Sequence, residues 1–141
     1  MSLSVDRPSQ WLNFGYLITA IGTFFIHPLM GGIVLLVYLW KCVVLHYIKW
    51  NYENESIVCE SGVFNVLTNE VEYFRIKDVI LYRPLLYRLV GLSKIVLKTS
   101  DRTLPYVVLN GVTNGKRKRD MFRLFAKQYR KKEGVREFDF R

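Results

Sequence analysis

Side chains able to act in catalysis are few in this chain of 141 residues, and they are scattered. The two histidines, His27 and His46, have no acid or cysteine at a spacing that would support catalysis. A lone histidine within a membrane can relay protons or gate a pathway, but interfacial packing is the simpler interpretation. Three serines lack the His–Asp context and the glycine-flanked turn of a nucleophile: Ser61, Ser93 and Ser100.

The carboxylates and cysteines do not form a site either. Four glutamates fall in segments that we predict as hairpins and turns, where carboxylates usually face water: Glu53, Glu55, Glu70 and Glu72. Cys42 and Cys59 are not flanked by residues at metal-ligand spacing. Neither a P-loop nor a dinucleotide fingerprint is present in the sequence. We therefore predict that the protein is not an enzyme and uses no metal or cofactor.

Basic residues near the C-terminus are the strongest functional signal. Residues 111–141 carry a net charge of +7, which is most of the total of +9. We expect an amphipathic helix there, capped by Thr113 or Asn114 and running to about Lys132. Its basic residues would share one face, which we call the basic stripe: Lys116, Arg119, Arg123, Lys127 and Arg130.

Three interpretations of the basic stripe stay open at this point. Beside a membrane, each basic residue gains roughly 1 kcal/mol from anionic lipid, so the stripe could dock a tethered domain. It could also simply face water and keep the domain soluble. The third interpretation is nucleic-acid binding. It is disfavoured because Phe122, Phe125 and Tyr129 are needed for the core and are not available to stack on bases.

The N-terminal third of the chain avoids charge. Thirty residues from Trp11 to Trp40 carry none, and Lys41 is the only charged residue between Arg7 and Lys49. A charged side chain at mid-bilayer costs at least about 2.5 kcal/mol, whereas the surface helices of soluble proteins carry a charged face. The segment therefore predicts a membrane anchor.

The anchor is long enough to form two membrane-spanning helices, since one span needs roughly 20 residues. The His27-Pro28 step and the Gly31-Gly32 pair indicate a break. We therefore expect a helical hairpin with spans over Ser9–Ile26 and Gly32–Lys49. Aromatic residues typical of membrane interfaces lie near its ends: Trp11, Trp40, Tyr47 and Trp50.

Positive charges indicate the orientation of the hairpin. Arg7 precedes the first span, Lys41 and Lys49 end the second, and the turn between them carries no charge. The positive-inside rule then predicts two spans with both termini in the cytoplasm. One alternative is a cleaved signal peptide, for which no small-x-small site follows the apolar run. The other alternative is a very hydrophobic soluble hairpin.

After Lys49 the pattern changes to short β-type runs separated by turn residues. Strands are expected over Ile48–Tyr52, Ser56–Glu60, Val63–Glu72, Arg75–Tyr82, Lys94–Thr99 and Leu104–Leu109. Short strands followed by one helix indicate an α+β fold. We expect an anchor over residues 1–49, a domain over 50–132 and a tail over 133–141. Three alternating apolar residues of the tail could add a strand or dock on a neighbouring molecule, although a frayed end is the simpler expectation: Val135, Phe138 and Phe140.

Three nearby segments carry a family resemblance: Phe74–Val79, Arg83–Gly91 and Lys94–Leu97. They resemble the core of the membrane-anchored bacterial pleckstrin-homology (PH-like) proteins. Ser93 departs from that family, which often has a second glycine there. The resemblance implies an N-terminal transmembrane helical hairpin followed by a PH-like curled antiparallel barrel, closed by the C-terminal helix. It also implies a cytoplasmic (inner) membrane of bacterial type.

The family-motif residues lie around one predicted turn: Arg75, Asp78, Pro84, Arg88 and Gly91. A proline at the start of a short helix and a glycine at its end fit the known preferences of helix ends. The charged members either form a polar cluster that orients the turn or are simply solvated. Three leucines of the same turn are expected to cover an open end of the barrel: Leu85, Leu86 and Leu89.

Together these features predict a non-enzymatic scaffold at the cytoplasmic face. It would dock on anionic lipid or on an unidentified membrane or cytoplasmic protein. Glycines in the hairpin permit close helix contact, so we expect a homo-oligomer. The alternative is an oligomeric transport or pore component, in which Asn13, Thr19 and His27 would face water. The family resemblance alone does not identify a ligand.

Overall fold

The computed structural model describes residues 4–134, which contain four helices, seven strands and two 3₁₀ turns. The helices are α1 (Phe14–Ile26), α2 (Pro28–His46), α3 (Leu85–Leu89) and α4 (Gly115–Lys132). The strands are β1 (Ser4–Asp6), β2 (Lys49–Tyr52), β3 (Ser56–Ser61), β4 (Leu67–Glu72), β5 (Ile76–Tyr82), β6 (Leu92–Thr99) and β7 (Tyr106–Thr113). The alternation in the tail at Val135, Phe138 and Phe140 lies outside the described residues.

Helices α1 and α2 lie antiparallel and form what we call the helix pair. A single extended residue, His27, separates them, and Pro28 opens α2, where a missing N–H costs no helical bond. Gly31 and Gly32 do not break the chain as expected, since both lie inside α2. Gly31 instead allows the helices to touch, because a Cβ there would lie 2.4 Å from the Cα of Phe24.

Only α2 is long and apolar enough to cross a membrane among the helices that the structure describes. Helix α1 has 13 residues and begins at Phe14 rather than at Ser9. The preceding residues form a 3₁₀ turn, Gln10–Asn13, which the side chain of Ser9 caps by accepting the amide of Trp11. Of the two expected spans, the second therefore corresponds to a helix of sufficient length and the first does not.

The strands form two antiparallel sheets in place of one closed barrel. The first sheet has the order β1-β2-β3-β4 and the second the order β5-β6-β7. A 3₁₀ turn at Tyr73–Arg75 redirects the chain between β4 and β5, so no ladder joins the two sheets within residues 4–134. Both sheets contribute side chains to one core. The α+β class is confirmed, and the closed barrel is not.

Strand β1 precedes the helix pair in sequence yet belongs to the first sheet. It pairs with β2, so that Val5 lies opposite Asn51. The Asp6 carboxylate accepts a hydrogen bond from the Tyr52 hydroxyl at 3.2 Å and forms an ion pair with Lys118 of α4. The sequence did not indicate this strand, because three residues are too few to show an alternating pattern.

The core lies between the sheets and the apolar face of α4. Phe122 is fully buried, with its ring centroid 5.7 Å from that of Tyr52 and 6.4 Å from that of Tyr73. The Tyr73 hydroxyl is buried without a hydrogen-bond partner among residues 4–134, and burial raises the pKa of Tyr73. The predicted packing of α4 on the sheets is confirmed by the burial of Phe122 and Ala126.

The half-buried thiol of Cys59 in β3 gives a solution test of this packing. Burial raises the pKa of Cys59 to about 11, whereas an unfolded thiol titrates near about 8.5. The folded thiol therefore keeps its proton to a higher pH than the unfolded thiol does. The stability that the protonated thiol contributes to the folded state is lost as the pH rises above about 8.5. In a Cys42→Ala background, we expect Cys59 to react with iodoacetamide at pH 8 at least about tenfold more slowly than the urea-unfolded chain. Equal rates would contradict this packing.

Candidate functional site

The residues of the basic stripe make different contacts along α4. Lys116 is exposed in the first turn of the helix. The Arg119 guanidinium pairs with the neighbouring Asp120 at 2.7 Å. The remaining three residues line a cleft between α4 and β5: Arg123, Lys127 and Arg130. The helical period predicted one shared surface, and these contacts divide it into two regions.

We call the space between these two elements the β5–α4 cleft, and its volume is about 500 Å³. Strand β5 pairs with β6 along one edge only, so the carbonyls of its other edge lack a strand partner. The Arg123 guanidinium donates to the Val79 carbonyl at 3.5 Å, and that of Arg130 donates to the Ile76 carbonyl. The two arginines thus cover the open edge of β5, and their charge disfavours pairing with another strand.

Positive charge dominates the β5–α4 cleft. Its lining has four basic side chains and one acidic one: Lys77, Arg123, Lys127, Arg130 and Asp78. Lys77 and Lys127 are exposed, and neither forms an ion pair within the described part of the chain. The Asp78 carboxylate accepts the amide of Val79 at 2.8 Å. An open cleft of this charge suits a carboxylate or phosphate group.

Contacts at the two ends of α4 locate this cleft relative to the helix pair. Just before α4 begins, the Gly111 carbonyl accepts the amide of Ser9, which leads into the helix pair, at 3.1 Å. At the end of α4, Lys132 pairs with Glu55 in the turn between β2 and β3 at 2.6 Å. Since β2 leaves the helix pair and runs to that turn, α4 extends away from the helix pair. The β5–α4 cleft follows the second half of α4 and lies toward the far end of the domain.

Three of the four predicted interfacial aromatic residues are exposed: Trp11, Trp40 and Tyr47. Trp40 of α2 also stacks on Phe64 in the loop between β3 and β4, with the ring centroids 5.9 Å apart. The prediction for Trp50 is wrong, since this residue is only 3% exposed and belongs to the core. Alternation along β2 turns Trp50 and Tyr52 inward, and the membrane-interface pattern did not take that strand into account.

The charged residues of the family motif do not form the polar cluster that we considered. Arg75 instead pairs with Glu72 at 2.5 Å and with Asp101 at 3.2 Å. Hydrogen bonds from Thr103 hold the pKa of Asp101 below its usual value, with a smaller contribution from Arg75. Asp78 lies in the β5–α4 cleft and Arg88 is exposed on α3. The charged residues of this motif therefore lie in separate parts of the molecule.

The ends of α3 follow the prediction, and its leucines do not. Pro84 precedes the helix, and Gly91 follows it with a φ of +69°, a conformation that glycine adopts readily. The leucines are exposed and cover no open end: Leu85 at 74%, Leu86 at 75% and Leu89 at 83%. The physical reason is that Phe122 of α4 already fills the core that they were expected to close.

Sequence reasoning missed that Lys77 belongs to the candidate site. Ile76 and Val79 of β5 are buried and border the same cleft. Because Lys77 lies between these two inward residues, the apolar pattern of β5 could have placed it on the outer surface. No sequence signal indicated that Arg123 and Arg130 would donate to carbonyls of β5. These hydrogen bonds depend on contacts between segments that are 44 residues apart or more.

Comparison with known proteins is informative at the level of the family. A family model described as Bacterial PH domain matches residues 14–131. The match begins with the first residue of α1 and ends one residue before the end of α4, so it includes the helix pair as well as most of both sheets. No curated protein and no solved structure matches the chain significantly.

Proposed function

The chain belongs to the bacterial PH domain family, and on that basis we propose a non-enzymatic scaffold that is anchored in a bacterial-type cytoplasmic membrane. Its helix pair would sit in the bilayer, and its domain would lie at the cytoplasmic face. The basic residues of α4 would bind anionic lipid or an acidic partner protein. Domains of the PH-like family often serve lipid or protein binding, which agrees with this role.

One observation carries the proposal: the apolar side chains of the helix pair point outward. In α2 only Gly31 is buried, and in α1 only Ala20. Phe25, Ile26 and Leu29, at the tip of the pair, are among the most exposed hydrophobic residues. In water such a surface would far exceed the few hundred Å² of contiguous apolar area typical of soluble monomers. Hydrocarbon is the solvent that suits it.

The lengths of the two helices support two spans in a locally thin bilayer. Helix α2 is about 28 Å long at a rise of about 1.5 Å per residue. Helix α1 and the preceding 3₁₀ turn together reach about 27 Å, because the rise of a 3₁₀ turn is about 2 Å per residue. Both values are close to the hydrocarbon thickness of about 30 Å. The pairing of β1 with β2 also favours two spans, since it requires both ends of the helix pair to lie on one side.

Charge supports a cytoplasmic domain. Arg7 and Lys49 flank the helix pair on the side of the domain, and Lys41 lies in the last turns of α2. The turn at His27 carries no charged neighbour in sequence. By the positive-inside rule, such an arrangement favours having both termini in the cytoplasm. Self-assembly is a further part of the proposal, because Gly15 and Gly22 of α1 have open space where a second helix could approach.

The polar residues of the helix pair do not favour the alternative of a transport component. Thr19 donates to the Gly15 and Tyr16 carbonyls of its own helix. Asn13 is buried and donates to Gln10 and Cys42. Asn13 and Thr19 are therefore satisfied locally, and of the three residues named for this alternative His27, exposed at the turn between the helices, is left. A hydrophilic pathway would be expected to expose several unpaired polar groups.

The proposal is tested by expressing the full chain in a bacterium and washing the membranes with alkaline carbonate. We expect the chain to stay in the membrane pellet, because an embedded helix pair does not depend on charge. Leu36→Arg, which places a charge in the exposed middle of α2, should release a large fraction. Lys94→Arg is a matched control in the sheet. Release of the unmodified chain would contradict the anchor, and dye leakage from liposomes holding the pure chain would favour the transport alternative.

A further inference from the structure

A second cleft, which we call the α3–α4 cleft, lies where α4 begins. It has a volume of about 330 Å³ and is separate from the β5–α4 cleft. Three basic side chains line it, namely Arg83, Lys116 and Arg117, and its described lining includes no acidic residue. Glycine and small polar residues form the rest of the wall, so the cleft is open to a compact anion.

The backbone at this cleft adds further positive charge. Asn114 is the N-cap of α4 in the left-handed conformation, with φ 54° and ψ 39°, and its side chain makes no capping hydrogen bond. The first amides of a helix lack partners within the helix and carry the positive end of its dipole. No acidic residue lies in the first turn of α4. The start of this 18-residue helix is thus left without the negative group that usually caps it.

The nearly buried side chain of Ser93 provides an independent observation. Ser93 lines the cleft and is only 2% exposed, and its hydroxyl has no hydrogen-bond partner within residues 4–134. Gly115 makes room for it, because a Cβ at that position would lie 2.5 Å from the Ser93 Oγ. The Ser93 hydroxyl is not among the fully enclosed unpartnered atoms of residues 4–134, so it retains contact with the open space of the cleft and is free to donate there. An anion with several acceptor oxygens could take its hydrogen bond together with those of the first α4 amides.

The surroundings of the cleft indicate where the anion comes from. Helix α3 leads directly into the cleft through Gly91, and its exposed leucines follow Arg83 closely in sequence. The Tyr87 hydroxyl of α3 donates to the Asn110 side chain at 3.0 Å. The next residue, Gly111, accepts the amide of Ser9 at the start of the helix pair. The leucines and the cleft therefore lie at the end of the domain that the helix pair enters.

We propose that the α3–α4 cleft binds the phosphate group of an anionic phospholipid from the surrounding bilayer. The leucines of α3 enter the membrane interface beside the bound lipid, as apolar side chains next to cations do in interfacial helices. The site also fits the distribution of basic residues, since Lys116 lies here and the rest of the basic stripe lies farther from the helix pair. This inference rests on the proposed function, because the lipid must lie next to the helix pair.

The test measures lipid binding to the full chain in non-ionic detergent by native mass spectrometry. We expect phosphatidylglycerol to bind about tenfold more tightly than phosphatidylcholine. The double variant Arg83→Gln/Arg117→Gln should lose about tenfold in affinity for phosphatidylglycerol. A matched control, Lys98→Gln/Arg102→Gln, removes the same charge from two exposed residues at the end of β6 and in the turn after it, outside both clefts, and should change that affinity by less than about twofold. Circular dichroism confirms that each variant is folded.

A second arm distinguishes a lipid from free phosphate. Glycerol phosphate and inorganic phosphate are titrated into the same micelles and followed by the backbone amide signals of Gly115 and Lys116. Leu85→Ser/Leu89→Ser should weaken phosphatidylglycerol binding by about fivefold and leave glycerol phosphate binding unchanged. If inorganic phosphate binds as tightly as phosphatidylglycerol and the leucine variant has no effect, the lipid assignment is overturned.

The two proposals fail in different ways. Equal losses in the two charge variants would overturn the α3–α4 cleft as the site and leave the membrane anchor standing. Equal affinity of the unmodified chain for phosphatidylglycerol and phosphatidylcholine would also overturn the lipid site and leave the anchor standing. Release of the unmodified chain by carbonate would contradict the anchor itself. A loss confined to Arg83→Gln/Arg117→Gln, with the carbonate result unchanged, supports both.

Discussion

Replacing Phe122 by alanine is expected to lower the free energy of unfolding by about 3–5 kcal/mol, the usual cost of removing a buried aromatic ring. Phe122 has no exposed surface and contacts the rings of Tyr52 and Tyr73, so its loss opens a cavity between α4 and both sheets. Domains of this size have a total stability of about 5–15 kcal/mol. We therefore expect the variant domain to be largely unfolded under mild denaturation.

Urea unfolding of the full chain in detergent measures this effect, with far-UV circular dichroism as the signal for the sheets. Leu124→Ala is the matched control, because Leu124 lies two residues away on the same helix and is 63% exposed. That variant should change the free energy of unfolding by less than about 0.5 kcal/mol. Similar losses in the two variants would show that α4 does not fill the core through Phe122.

Replacing Gly31 by alanine is expected to separate the two helices of the pair. The new Cβ would lie 2.4 Å from the Cα and 2.7 Å from the amide nitrogen of Phe24. These are backbone atoms, so the contact is relieved only by moving one helix away from the other. Overpacking of this kind costs about 1–3 kcal/mol. Thermal unfolding in detergent, followed by the helical circular dichroism signal, should show a clearly lower midpoint.

The neighbouring glycine gives the opposite expectation and serves as the control. A Cβ on Gly32 would meet no atom within 4 Å. Alanine is favoured over glycine inside a helix by about 1 kcal/mol, so Gly32→Ala should leave the midpoint unchanged or raise it. A lower midpoint for Gly32→Ala, or an unchanged one for Gly31→Ala, would contradict the observed contact between the helices.

Much of the fold could be predicted from local patterns. The run from Trp11 to Trp40 without charge marked the helix pair, and turn residues placed β2, β3 and β5 to within one residue. The limits of β4 and β7 were less accurate, since β4 begins at Leu67 rather than Val63 and β7 continues past Leu109 to Thr113. Pro84 and Gly91 marked the ends of α3, because the conformational limits of these residues act locally. The helical period of α4 identified the apolar side that packs on the sheets. These features depend on neighbours in sequence.

The errors concern contacts between distant segments. Trp50 carries the chemistry of an interfacial residue, yet the pairing of β2 with β3 turns it inward. The leucines of α3 have the composition of core residues, yet α4 leaves no space for them. The α3–α4 cleft depends on Ser93 meeting Gly115, which are 22 residues apart. Periodicity and composition carry no information on which of several apolar segments occupies the core.

The position of β1 has a consequence for how the protein is made. This strand leaves the ribosome before either helix, but its partner β2 is synthesised only after both helices. Until β1 pairs with it, β2 presents an edge of unpaired amides and carbonyls, a form that invites aggregation or proteolysis. The first strand translated therefore has no partner until both helices have been synthesised. Its docking, secured by the Asp6–Lys118 ion pair, joins the segment before the helix pair to the domain after it.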